Sequence, residues 1–344
     1  MAKASFRLSV LVALVLAAQA MSAAKTPQAT MDAVVKEEVQ NAIKRNPSVG
    51  AALVRLVFHD CWVRGCDASV LLDKTPSGGS VEKKAANNIG LAGFDVIDSI
   101  KARLSDVSCA DILVFAGRES ARVLSKGAID YTLAPGRLDG VVSSAAEADA
   151  TLPEPTFSFQ QLKDNFNNTA GFDVEDLVIL SGAHSIGVAH RTSFQDRLDA
   201  ATQTPINPNY QTALKVRVTI DEIFTPNPTE KNNIRDMDPL FRKFSGYNSS
   251  GVNVSSVPAA GALDNSYYTA NLQNMVLFRS DWELNQDPTN FAGEKLVEYR
   301  DNATDWNLDF SDAMGRLSSL TSAGPKFEIR ENCRLVNSAT NSVE

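Results

Sequence analysis

Helical periodicity dominates this chain. Met31, Val34, Val35, Val39, Ala42 and Ile43 recur at three- and four-residue intervals and predict a first helix, which Pro47 closes before a second helix carries Arg55 and His59. Phe94, Ile97, Ile100 and Leu104 predict another, and Ser108 followed by Asp111 reads as the cap of a helix through Ile112, Leu113 and Ala116. Residues 157–167 and 173–184 read as helices, the latter capped by Asp173 with Gly187 just past its end, so His184 falls near a helix C-terminus. From Leu198 to about Gly261 the chain turns polar and rich in proline and asparagine. Long loops are expected there, with at most a helical turn or two over 210–216. Helices resume after Leu263, one of them with Trp306, Phe310, Ala313, Met314 and Leu317 on its inner face. Strand signals are few and no internal repeat is visible, so the predicted class is mainly α.

The first residues break this pattern. Lys3 and Arg7 precede an apolar stretch over 8–18 and then small residues to Ala23, the signature of a secretory leader over about residues 1–24. That stretch is too short for a membrane span and no other apolar run of spanning length follows, so an exported, soluble chain without a membrane anchor is expected. At 344 residues and 44% hydrophobic content the chain can bury a large core. Without the leader it carries 31 basic against 41 acidic residues, a balance that argues against nucleic acid as a partner. In an exported chain the four cysteines, Cys61, Cys66, Cys109 and Cys333, most simply form two disulfides, with three pairings open. Sequons at Asn167, Asn248, Asn253 and Asn302 fit the same compartment.

Only three histidines occur. A lone imidazole beside apolar residues is more often a packed, hydrogen-bonded group than a catalyst. Arg55, however, lies four residues before His59, which stacks a fixed cation and a titratable base on one helical face. Such a pair can break an oxygen–oxygen bond, the base taking a proton from one oxygen while the guanidinium stabilises charge on the other. His184 is then available to hold a metal. His190 draws no role, and Trp62, Trp282 and Trp306 read as packing residues rather than electron relays.

Six ordered segments carry a family resemblance: 54–61 (VRLVFHDC), 65–73 (GCDASVLLD), 107–113 (VSCADIL), 136–139 (GRLD), 177–187 (LVILSGAHSIG) and 263–268 (LDNSYY). From about residue 30 onward the chain resembles the secreted class III haem peroxidases of plants. The resemblance implies a two-domain helical fold with haem b between a distal part, about 25–155 plus the C-terminal helices, and a proximal part, about 156–300. It implies His184 as the iron ligand, with Asp281 accepting the other ring N–H of that histidine. It places His59, Arg55 and Asn88 on the open distal side, with Asn88 hydrogen-bonding His59, although Asn87 stands where the family usually has proline. The resemblance further implies that peroxide is cleaved there and that the oxidised haem is reduced in two one-electron steps by small phenolic donors at the haem edge beside Pro153. A distal calcium ion is implied, held by Asp60, Asp67 and Ser69 side chains and the carbonyls of Val63 and Gly65, with Glu82 tied in through water.

The chain also departs from this family, which typically has eight cysteines. Matching leaves the pairs Cys61–Cys66 and Cys109–Cys333, with Arg191 and about Val218 replacing the ends of one lost bridge. Ser185 and Asp264 match two ligands of a proximal calcium site, but residues 253–262 lack the acid and threonine expected there, so a weak or empty site is expected. The implied function is an extracellular peroxidase, in the cell wall or the vacuole, acting as a monomer in hydrogen peroxide removal, oxidative stress response and lignin or cell-wall phenol chemistry. The competing reading is a secreted haem- or calcium-binding scaffold with impaired turnover. A zinc module built on Cys61 and Cys66 has little support, because no compact four-ligand set accompanies them.

Overall fold

In the computed structural model, residues 26–199, 204–224, 229–231 and 262–337 are described. The leader at 1–24 and the sequons at Asn248 and Asn253 lie outside them. Thirteen α-helices are present among the described residues, joined by short 3-10 turns and two small antiparallel strand pairs. The chain is mainly helical, as its periodicity predicts.

Helices α1 (Gln28–Arg45) and α2 (Ser48–Arg64) are followed by α3 (Phe94–Arg103) and α4 (Cys109–Leu124). Ser108 caps α4 by accepting from the Asp111 N–H at 3.1 Å. The carboxylate of Asp111 does not return to the cap; it accepts from the Gly136 N–H at 2.6 Å and from Arg137 Nη1 at 2.9 Å, tying the next segment down. A second acid serves the same helix start, with Asp139 accepting from the Cys109 and Ala110 N–H groups at 3.1 and 2.8 Å, where the dipole favours negative charge. Helix α4 is buried almost all round and lies against α2. Gly117 makes the close crossing possible, since a Cβ there would overlap the Val57 side chain.

Asp139 opens β1 (Asp139–Gly140), which α5 (Ala145–Thr151), α6 (Phe159–Ala170) and α7 (Val174–Ser181) follow. Asp173 caps α7, as expected, but the α-helix ends at Ser181 and the chain tightens into a 3-10 turn over Gly182–Ser185. The physical reason lies at the Val178 carbonyl, which the Gly182 N–H would need to continue the α-helix: the Tyr268 hydroxyl donates to it at 3.0 Å, and the Gly182 N–H bonds to Ile179 and Leu180 instead. Trp306 Nε1 also donates to Ile179 O, at 3.2 Å. Gly182 has no room for a side chain: a Cβ would sit 2.7 Å from Trp306 and from the Tyr268 hydroxyl. Gly182→Ala should cost about 1–3 kcal/mol by overpacking, read as a lower thermal midpoint.

Beyond β2 (Val188–His190) and α8 (Gln195–Leu198), the loop expected up to residue 261 holds a full helix, α9 (Pro208–Phe224), and β3 (Thr229–Lys231), which pairs with β2. Tyr210, Leu214 and Val218 give α9 a buried stripe at four-residue spacing. Its start is capped: Asn207 accepts from the Asn209 and Tyr210 N–H groups, and Pro208 occupies the first turn. The chain then forms α10 (Ser266–Leu272), α11 (Arg279–Glu283), α12 (Phe291–Asp301) and α13 (Ala303–Leu317), and β4 (Phe327–Glu328) returns to β1. The buried apolar residues form one contiguous cluster. Trp62 joins its halves, stacking on Phe58 at 4.6 Å, meeting Phe166 at 4.7 Å and donating to Asn165 Oδ1 at 3.0 Å. Both disulfides, Cys61–Cys66 and Cys109–Cys333, are present.

Candidate active site

One face of α2 is left unfilled. Leu53, Val54, Leu56, Val57 and Asp60 are buried, while Ala51, Ala52, Arg55, Phe58 and His59, at helical spacing, remain only half covered. Arg55 Nε donates to His59 Nε2 at 3.1 Å and its Nη2 donates to the Asn87 carbonyl at 2.9 Å. A guanidinium can only donate, so His59 Nε2 must be the accepting nitrogen and Nδ1 carries the proton. Nδ1 meets Asn88 Oδ1 at 2.6 Å. The amide is oriented in turn by its Nδ2, which donates to the Glu82 carbonyl at 2.8 Å. Asn88 thus reaches His59, while Asn87 offers Arg55 only its backbone. Burial first, then the charge of Arg55, pushes the His59 pKa down to about 3, and burial lowers Arg55 to about 10. At neutral pH the pair is therefore an uncharged base beside a charged guanidinium.

The second imidazole has the opposite character. His184 Nδ1 donates to Asp281 Oδ1 at 2.8 Å. Burial pulls the ring down, but the Asp281 carboxylate more than reverses this, so its pKa lies above the usual value. Asp281 is itself fixed: the Tyr267 hydroxyl donates to Oδ1 at 3.0 Å, and Asn271 Nδ2 donates to the Tyr267 oxygen at 3.1 Å and to the Asp281 carbonyl at 2.6 Å. Phe278 packs edge-on to His184 at 5.1 Å. Tyr267, Asn271 and Phe278 were not singled out from sequence, although Tyr267 and Asn271 stand one helical turn apart.

The two rings lie near enough for the charge on each side to act on the other, His184 lowering His59 and Arg55 lowering His184. The side chain of His184 is 39% accessible. The segment after it approaches the distal helix where the ideal Cβ of Gly187 falls 3.6 Å from the Ala51 Cβ, and His190 lies against Gly90. Gly90 has φ +81°, and a Cβ there would fall 2.5 Å from the imidazole.

Behind His59 lies a buried acidic loop. Asp60, Asp67, Ser69 and Glu82 are all buried. Asp60 accepts from the Ala68 and Val70 N–H groups at 2.9 and 3.3 Å, and Asp67 Oδ1 accepts from the Ser69 N–H at 2.9 Å. Ser69 Oγ and both carboxylate oxygens of Glu82 have no hydrogen-bond partner. Burial raises the pKa of Asp60 and Glu82 well above the usual range and that of Asp67 to about 6. Buried Arg330, whose charge acts on Asp60 and Asp67, forms no ion pair with either and donates to the Ala68 carbonyl at 2.6 Å. Val63 and Gly65 stand at the end of α2, where Gly65 (φ +77°) turns the chain against Thr321. Among the described residues, no three Asp, Glu, His or Cys side chains form a metal-binding group, so a cation here would need hydroxyl and carbonyl donors as well.

The remaining candidates lie further out. Asp264 N–H donates to Ser185 Oγ at 3.4 Å and Asp264 Oδ1 accepts from the Ser266 N–H at 3.0 Å. Residues 253–261, which would complete a proximal calcium site, lie outside the described residues. Pro153 is half-buried in the segment after α5, between Thr151, whose carbonyl accepts from Asn165, and Pro155, whose carbonyl accepts from the Ser280 N–H beside Asp281.

A sequence profile described as peroxidase matches residues 35–299. The chain belongs to the peroxidase family. Among its relatives are peroxidase 2 of Zea mays, 40% identical over 90% of this chain and 86% of that protein, and peroxidase 5 of Vitis vinifera, 38% identical over 89% and 87%. Peroxidase 3 of Arabidopsis thaliana is 35% identical over 89% of this chain and 88% of its own length. The plant members of this family are haem enzymes that act on hydrogen peroxide and a donor. No helix among the described residues is long and apolar enough to cross a membrane.

Proposed function

We propose that this peroxidase cleaves hydrogen peroxide in the gap between His59 and His184, with haem b bound there through His184 Nε2 and with small phenols as donors. The observation that carries this reading is the opposed chemistry of the two rings. His59 presents a lone pair beside a fixed cation, while His184 has its Nδ1 proton committed to a buried carboxylate and its Nε2 free for a metal. When bound, haem supplies the redox chemistry, accepting oxidising equivalents from peroxide and passing them on one at a time.

The protein's own groups then manage protons and charge. His59 Nε2 takes the proton from one peroxide oxygen, and Asn88 keeps that nitrogen the acceptor by holding the Nδ1 proton. The Arg55 guanidinium stabilises the negative charge that grows as the oxygens separate. His59 returns its proton to the departing oxygen, which leaves as water. Asp281 draws on the His184 Nδ1 proton and makes that ring a stronger electron donor. Asp281→Asn should therefore shift the haem reduction potential upward, measurable by spectroelectrochemistry, with the fold intact by circular dichroism.

In the same reading the acidic loop holds one calcium ion through Asp60, Asp67, Ser69 and the carbonyls of Val63 and Gly65, with Glu82 bridged by water. Unpartnered oxygens among buried acids that lack a paired cation support it. Calcium at about 100 times its Kd would stabilise the fold by about 2.7 kcal/mol, a rise in Tm of roughly 4 °C that a chelator should abolish. Binding in mild acid should release protons, because burial raises the pKa of these carboxyls and the ion needs them ionised. Metal analysis should find one tightly held calcium per chain; two would contradict a weak site at Ser185 and Asp264.

The division into a distal part, about 25–155 with the C-terminal helices, and a proximal part, about 156–300, follows from which ring each contributes. Export through the leader, into the cell wall, the extracellular space or the vacuole, fits the two disulfides. Phenol oxidation by the haem-loaded protein, absent without peroxide, is the expected result. A Soret band without such turnover would favour the scaffold reading instead.

A further inference from the structure

A line of tyrosines leads away from the site. From His184 the ring centroids run to Tyr267 at 6.2 Å, on to Tyr268 at 5.2 Å and to Tyr299 at 5.4 Å. All three tyrosine rings are buried. What differs is where each hydroxyl can send a proton. An oxidised tyrosine becomes a strong acid, so a phenol holds an oxidising equivalent only where a base can accept that proton. Tyr267 donates to Asp281 Oδ1, an oxygen already engaged by the His184 Nδ1 proton and so a weakened acceptor. Tyr268 donates to the backbone carbonyls of Val178 and Ile179, which are poor proton acceptors. Tyr299 instead donates to Asp309 Oδ2 at 2.9 Å and to Glu175 Oε1 at 3.2 Å. Lys295 pairs with Glu175 at 2.7 Å, which leaves Asp309 as the better base.

Glu175 and Asp309 reach the molecular surface, each only partly buried. Leu308 beside Asp309 is 64% exposed, and the exposed ring of Phe291 lies 5.9 Å from Lys295. Apolar surface beside a proton acceptor suits an aromatic donor. The branch from Tyr268 to Trp306 has no such exit: Trp306 is fully buried and its Nε1 donates to a backbone carbonyl.

We propose that Tyr267, Tyr268 and Tyr299 form an electron relay from the His184 side of the cleft to the surface at Glu175 and Asp309, by which this peroxidase oxidises phenolic groups on carriers too large to enter the cleft. The relay rests on haem lying against His184. In each passage one electron leaves Tyr299 for the peroxide-oxidised cofactor while the Tyr299 phenolic proton moves to Asp309. The external phenol then gives one electron to Tyr299 and its own proton to solvent, and Asp309 returns the first proton. Net, the donor loses one electron and one proton, and the cofactor gains one electron.

The test uses the haem-loaded full chain, Tyr299→Phe and Asp309→Asn. The first readout is the electron spin resonance spectrum of samples frozen after mixing with peroxide and no donor. The second is the oxidation rate of hydroxyphenyl groups grafted onto dextran, compared with the same phenol free in solution. The wild type should show a tyrosyl radical signal. Tyr299→Phe, which keeps the ring, should lose it and oxidise the grafted phenol about tenfold more slowly or worse, with the free phenol unchanged within about twofold. Asp309→Asn should weaken the radical signal and the grafted-phenol rate together. No tyrosyl signal in the wild type, a signal that Tyr299→Phe leaves unchanged, or a grafted-phenol rate untouched by both substitutions overturns the relay. Loss of the Soret band or of free-phenol turnover in the wild type would overturn the haem reading, and the relay with it.

Discussion

Replacing His59 by leucine lowers the rate at which the haem-loaded protein reacts with hydrogen peroxide by about 10²–10⁴-fold, the usual worth of a positioned proton carrier. The measurement is the stopped-flow absorbance change after mixing with peroxide. Haem binding should survive, because the proposed iron ligand is His184. The pH profile gives an independent reading. With its pKa pushed down to about 3, His59 is a free base throughout the ordinary working range. The wild-type rate should therefore show no loss on the acid side from His59 until the pH approaches 3. An acid limb centred near the ordinary histidine value would place the proton carrier elsewhere. Stability follows the same group: between about pH 3 and 6.5 the unfolded chain binds the proton that folded His59 refuses. Its contribution should hold above pH 6.5 and weaken as the pH falls through that window.

Removing the long disulfide has the largest expected effect on stability. Cys109 and Cys333 lie 224 residues apart in sequence, and the bridge ties the start of α4 to the C-terminal segment. The chain-entropy argument puts the loss in the double variant Cys109→Ser, Cys333→Ser at about 5 kcal/mol, less where the reduced chain retains structure. At about 2.1 cal/mol/K of unfolding entropy per residue, that corresponds to a fall in Tm of roughly 7–8 °C for a chain of this length. Scanning calorimetry checks it. The variant should bind haem at low temperature, since neither cysteine touches the cleft. Cys61–Cys66 closes only a short loop, so its loss should cost less through entropy and act instead on the geometry of the loop after His59.

The helical architecture was legible because long amphipathic stripes, such as Met31 to Ala42 and Trp306 to Leu317, carry their periodicity within one element. Where an element depended on a distant partner, the sequence pattern misled. Residues 173–184 read as one helix, yet Tyr268, 90 residues away in sequence, captures the Val178 carbonyl that would have continued it. Polar composition hid α9, whose stripe of Tyr210, Leu214 and Val218 is diluted by exposed Ile220, Ile223 and Phe224. At the site, Arg55 and His59 were visible through helical spacing alone. Asp281 and Asn88 became visible only through a family resemblance, since nothing local to a loop acid or a turn asparagine shows which ring it will meet. Tyr267 and Asn271 escaped notice because their partner, Asp281, comes from another element.

The most direct test of the account is the absorption spectrum of the haem-loaded His184→Gly variant, recorded with and without added imidazole. The account predicts that the wild-type Soret and charge-transfer bands shift when the ring is removed, return when imidazole fills the space against Asp281, and do not depend on His59. A His184→Gly spectrum identical to the wild type, or loss of the axial-ligand signature in the His59 variant instead, would contradict it.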